Sequence, residues 1–124
     1  MTNLVEEEIN SKKLCDLVVA GMSEKKASEI MIMDLKHVKH AVSDYFVICS
    51  GTSDTQIDAI SEAIEEHVRE HSKQKPWKKE GQQNREWILI DYVDVVAHVF
   101  SQDKREFYAL EELWGDAIIT AVED

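Results

Sequence analysis

A chain of 124 residues carrying 14 basic and 25 acidic side chains, a formal charge of −11, is long enough for one domain with a real core. Its charge excludes DNA binding or unspecific RNA binding through the surface at large, and the excess acid suits either solubility or a basic partner. Cys15 and Cys49 form no C-x-x-C, no secretory leader precedes them, and no apolar run approaches the ~20 residues of a membrane span. A single soluble cytoplasmic domain over residues 1–124, with reduced thiols and no membrane partner, is the expectation.

In chain order, Asn3 fits an N-cap with Glu6 three residues on, and Val5, Ile9, Leu14, Leu17 and Val18 recur at helical spacing as far as Gly21, a natural stop; Asn10-Ser11 can divide this stretch in two. Glu29 to Leu35 and Tyr45 to Cys49 are short apolar runs of strand type. The polar residues between them, which include Lys36, His37, Lys39 and His40, read as a hairpin loop. Ser53-Asp54-Thr55-Gln56 matches a capping box, and Ile57, Ile60, Ile64, Val68 and His71 follow as a helical stripe.

Lys73 to Arg85 holds the only proline, Pro76, together with Trp77 and several lysines, and reads as a basic loop that can touch RNA peripherally by charge and stacking. Trp87 to Ile90 and Val95 to Phe100 are apolar at odd and even positions alike. Such runs predict two adjacent core strands covered on both faces by helices or by a partner chain. Asp103 with Glu106 can cap a last helix with the stripe Phe107, Leu110, Leu113 and Trp114, closed by Gly115; Ala117 to Asp124 reads as a frayed tail. The order helix-strand-strand-helix-strand-strand-helix predicts an α/β fold, a small mixed sheet flanked by helices.

Three patterns invite chemistry. His67-Val68-Arg69-Glu70-His71 fits H-x-x-E-H, but it lies at the charged end of a short helix and lacks a further ligand, so no metal site is expected. Asp91 and Asp94 are three apart; acids sharing one strand face are two apart, so these bracket a turn instead of converging on a metal. Val93 between them disfavours a tight hairpin needing positive φ, which points to a type I or looser turn. One glycine at Ser50-Gly51-Thr52-Ser53 makes a turn and a cap, not a phosphate cradle. His98, flanked by Ala97 and Val99, reads as a neutral core histidine. Tyr45, Trp87, Tyr92 and Phe100 divide between core and an exposed apolar patch of the kind that binds proteins. No catalytic residue and no cofactor is expected.

The segments S-D-Y-F-V-I-C-S-G-T-S-D (43–54), E-G (80–81), W-I-L-I-D-Y-V-D-V-V-A-H-V-F (87–100) and R-E-F-Y-A-L-E-E-L-W-G-D (105–116) together resemble the ribosomal silencing factor family, also called Iojap-like, over about Ala27 to Asp116. The resemblance implies a nucleotidyltransferase-like fold without that activity. It also implies a protein that binds the large ribosomal subunit through its fourteenth protein and obstructs joining of the small subunit when nutrients are scarce. Carried over by position, Trp87 and Tyr92 match family contact residues, and Asp91, Asp94 and Glu80 are the neighbouring acids facing a basic partner. Val93 stands where the family often has glycine, and Pro76-Trp77-Lys78-Lys79 differs from the more apolar segment usual before E-G. The rival expectations are a divergent nucleotidyltransferase and a homodimeric adaptor for another basic partner.

Overall fold

The computed structural model describes residues 10–108 and 115–122, with 106–108 described by backbone alone. The sequence-predicted cap at Asn3 and the side chains of Phe107, Leu110, Leu113 and Trp114 lie outside this description. The first helix, α1 (Ser11–Glu24), begins at Asn10, whose side chain accepts from the Lys13 N–H. The second, α2 (Asp54–Ser72), begins at Ser53, whose hydroxyl accepts from the Gln56 N–H at 3.1 Å, and ends on Lys73 in the left-handed conformation. Each cap satisfies a donor that the first helical turn leaves unpaired.

Among the described residues six strands form one mixed sheet: β1 (Ser28–Asp34), β2 (Tyr45–Gly51), β3 (Lys78–Glu80), β4 (Trp87–Asp91), β5 (Val95–Ser101) and β6 (Ile118–Ala121), in the spatial order β3-β4-β5-β2-β1-β6. Among the described residues only β2 and β5 run parallel, in the register Tyr45↔Val95 to Gly51↔Ser101, with α2 in the crossover between them; the other pairs are antiparallel. A short helix, α3 (Gln102–Tyr108), follows β5, and the Ser101 hydroxyl accepts from the Lys104 N–H in its first turn.

Both α1 and α2 pack on one sheet face. Leu14, Val18 and Met22 from α1 meet Ile57, Ile60, Ile64 and Val68 from α2 over Val47, Cys49, Ile88, Ile90, Ala97 and Val99. Each of the leucine, isoleucine, valine and methionine side chains contributes about 2 kcal/mol by leaving water. Both cysteines are free and buried here, and burial pushes the Cys15 thiol up to about 12. The opposite face carries a second, smaller cluster of Met33, Leu35, Phe46, Ile48, Val96 and Phe100. Strands β2 and β5 are buried on both sides, but β4 alternates, with Ile88 and Ile90 buried and Trp87, Leu89 and Asp91 half-buried, so the expected cover on both faces holds for β5 and not for β4.

Four further expectations are corrected. Gly21 does not end α1: a Cβ there would sit 2.7 Å from Ile64 Cα, so glycine is what lets the two helices approach, and the helix runs on to Glu24. The linker after α2 contains strand β3, which Lys79 fastens to α2 by an ion pair with Glu65. The tail is not frayed over 118–121, because the β1 edge offers backbone partners and pairs Met31 with Ala121 through Asp34 with Ile118. The helical stripe of α2 also stops at Val68, leaving His71 exposed.

Candidate functional site

Alternation along β4 and β5 decides which side chains share a face. Ile88 and Ile90 point to the helices; Trp87, Leu89 and Asp91 point the other way, opposite Phe100, His98 and Val96 respectively. On that second face a groove of ≈ 480 Å³ is lined by Phe46, Leu89, Val96 and His98 below and by Val42, Trp77 and Val93 around it. Val42, Trp77 and Val93 are 81%, 69% and 54% exposed, so three large apolar side chains that ordinarily seek cover ring one apolar depression.

The rim is fixed by backbone contacts. Trp77 N–H donates to the Asp91 carbonyl at 2.7 Å, prolonging the β3–β4 pairing. Asp91 Oδ1 accepts from the Val93 N–H at 2.7 Å, and the Val93 carbonyl accepts from the Ser43 hydroxyl at 2.8 Å. The Asp94 carbonyl accepts from both Asp44 N–H and Tyr45 N–H, which ties the β4–β5 turn to the loop before β2. Val93 has φ +76, contrary to the expectation of a type I or looser turn. The chain keeps the glycine-type conformation with a β-branched residue in it, because these partners over-determine the turn.

Below the groove, the Trp87 indole Nε1–H donates to His98 Nδ1 at 2.9 Å and its ring stacks on Phe100 at 5.1 Å. His98 is 3% exposed, and burial lowers its pKa to about 3, so it is a neutral core histidine, as the sequence indicates.

The five sequence-predicted contact residues do not all come together. Trp87, half-buried, and Asp91 share the grooved face; Asp94 is exposed in the adjoining turn. Glu80 lies on the edge strand β3 opposite Leu89, exposed and 3.7 Å from the Lys78 ammonium. Tyr92 is a correction: it is 6% exposed and points to the helix side with Ile88 and Ile90, since the residue after Asp91 alternates to the other face. Tyr45 and Phe100 are likewise core. Of the groove residues, Phe46, Leu89 and Val96 were not separable from core by sequence, and Val42, Trp77 and Val93 read as loop or turn residues. The period-2 grouping of Trp87, Leu89 and Asp91 was the one signal that could have found it.

The remaining motifs resolve structurally. His67 stacks on His71 at 5.7 Å and contacts Glu24 of α1 at 2.6 Å, joining the two helices; among the described residues no three His, Cys, Asp or Glu side chains group as a metal site. At the Ser50–Ser53 turn the Thr52 N–H is taken by Gln56 Oε1 and the Ser50 hydroxyl accepts from Arg105. Much of the loop's positive charge is neutralised internally, Lys79 on Glu65 and Arg85 on Asp58 at 2.8 Å. Among the described residues no helix is long and apolar enough to cross a membrane.

The chain and its fold are similar to known proteins. The family model described as ribosomal silencing factor during starvation matches residues 8–124. The ribosomal silencing factor of Bacillus subtilis is 40% identical over 109 residues, covering 88% of this chain and 91% of that protein. A crystal structure from Bacillus halodurans superposes with a TM-score of 0.75 at 33% identity, covering 92% of this chain and 100% of that one. A second, from Chromobacterium violaceum, has a TM-score of 0.81 at 22% identity over 94% and 95% of the two chains, a likeness of fold. With its sheet, its motif order and nearly its whole length accounted for in this way, the chain belongs to the ribosomal silencing factor family, regulatory proteins of the ribosome and not enzymes.

Proposed function

We propose that this protein silences ribosomes by binding the large subunit through its fourteenth protein and occupying the space that the small subunit needs, lowering translation when nutrients are limiting. The observation that carries the reading is the apolar groove on the sheet face that α1 and α2 leave uncovered, with Trp87 beside it and Asp91 at its lip. An aromatic and aliphatic depression rimmed by a few charges is the composition of a protein-binding hot spot, where desolvated aromatic side chains slow release. The acidic balance of the chain favours encounter with a basic ribosomal protein. A small domain needs no chemistry for this: it needs an affinity above that of the competing subunit.

In this reading Trp87 and Asp91 are direct contacts, Asp94 and Glu80 act by charge from the margin, and Tyr92 supports the turn from behind. Cosedimentation of the purified protein with separated ribosomal subunits tests it. Binding to the large subunit, lost in Trp87→Ala while cooperative unfolding is retained, is the expected result. Binding to neither subunit, or binding indifferent to Trp87→Ala, overturns it. The homodimer alternative concerns another surface, the β6 edge, where Ile118 and Ile119 are 56% and 42% exposed. Sedimentation equilibrium of the free protein measures it directly.

A further inference from the structure

Among the described residues His98 is a buried polar side chain on the floor of the groove that the contact reading does not use. It sits between aromatic rings, 4.6 Å from Phe46 edge-on and 6.3 Å from Phe100. Its Nδ1 accepts from Trp87 Nε1–H, so a neutral ring must carry its own proton on Nε2, and Nε2 is buried without a hydrogen-bond partner. A core position filled for stability alone would be served better by an apolar side chain of similar volume, which leaves nothing unsatisfied. What imidazole provides here and leucine does not is an acceptor for the indole N–H.

That acceptor fixes more than one bond. Trp87 lies on β4 opposite Phe100, two pairs along from Leu89 opposite His98, so the hydrogen bond runs diagonally between pairs that are neighbours on the same sheet face. Stacking on Phe100 sets the plane of the indole, and the bond to His98 sets its rotation within that plane. A half-buried tryptophan restrained on both counts meets a partner without ordering its side chain at the moment of binding.

We infer that His98 is a positioning residue for the partner contact: its Nδ1 holds the Trp87 indole in the orientation that the ribosomal partner meets. The inference rests on the reading of Trp87 as a contact.

Two variants separate orientation from packing. His98→Asn places an amide oxygen where Nδ1 stood, and His98→Leu keeps the apolar bulk without an acceptor. The Trp87 indole N–H resonance, assigned by its loss in Trp87→Phe, is followed in both for chemical shift and solvent exchange, and large-subunit binding is measured by cosedimentation. In His98→Leu the resonance moves upfield, its exchange accelerates, and binding weakens about tenfold, the scale of one lost hydrogen bond, while unfolding stays cooperative. In His98→Asn all three stay near wild type. Unchanged resonance and binding in His98→Leu, or equal losses in both variants, overturns the inference. If the wild-type protein binds no large subunit, the contact reading and this role fall together, while the resonance still reports whether the hydrogen bond exists.

Discussion

The Asp94 N–H donates to the Tyr92 carbonyl at 3.0 Å, closing a three-residue turn around Val93 at φ +76. A turn of this kind with positive φ at its centre is the rarer and more strained of the two γ-turns, and a β-branched residue is the least suited to it. The Val93 side chain is exposed, so it gains little from packing. Val93→Gly is expected to raise stability by about 1 kcal/mol, the strain removed exceeding the added freedom of the unfolded chain. Urea unfolding checks this. A loss of stability would mean that Val93 packs against the groove more than its exposure indicates.

His98 links acidity to stability. Folded, it titrates at about 3 through burial; unfolded, at about 6.5. Between those values the unfolded chain holds a proton that the folded chain does not, so stability rises with pH. The contribution is fully present above pH ~6.5 and is lost as pH falls toward ~3. One proton corresponds to a slope of about 1.4 kcal/mol per pH unit. His98→Asn, which cannot titrate, is expected to flatten the stability profile between pH ~4 and ~6 by about that slope relative to wild type. Parallel profiles would show that His98 is protonated in the folded protein, or is reached by water.

Gly81 sets the β3–β4 connection on which Trp87 depends. It has φ +91, and a Cβ built there would fall inside contact distance of the Trp87 carbonyl oxygen and 3.2 Å from Ile88 Cα. The obstacle is backbone, which cannot give way as a side-chain tip can. Gly81→Ala is therefore expected to cost about 2 kcal/mol or more and to displace Trp87, reducing large-subunit binding along with stability. Chemical denaturation followed by tryptophan fluorescence, beside cosedimentation, reads both. A variant with wild-type stability and binding would contradict the tight packing of this turn.

Legibility in the sequence followed the range of the interactions. The α2 start was readable because Ser53 and Gln56 are three apart and bond to each other. Strands β4 and β5 were readable from their apolar runs. Strands β3 and β6 were not: Lys78–Glu80 is too short and polar to show a period, and Ile118–Ala121 is held by the β1 edge, 84 or more residues away in sequence. Gly21 looked like a helix end because nothing local distinguishes a C-cap glycine from one pressed against Ile64 of another helix. At the site, Trp87 was legible as the start of a strand and Asp91 only as the edge of the turn after it, whereas Val42, Trp77 and Val93 meet them only through the folding of three separate loops.

Tyr92 is where position in a motif and position in space diverge. The side chain lies in the cluster beneath the helices, and burial raises the pKa of its hydroxyl, with Glu65 of α2 adding to the shift. The hydroxyl oxygen is buried without a hydrogen-bond partner. Removing an unsatisfied buried hydroxyl removes its desolvation cost, so Tyr92→Phe is expected to keep large-subunit binding and to gain about 1 kcal/mol of stability. Tyr92→Ala instead opens a cavity behind the Val93 turn and is expected to lose about 3–5 kcal/mol, with binding falling only as folding fails. Urea titrations paired with cosedimentation separate the two effects. If Tyr92→Phe stays fully folded and yet loses the large subunit, the hydroxyl makes the contact itself, which would require the β4–β5 turn to open and bring Tyr92 out from under the helices.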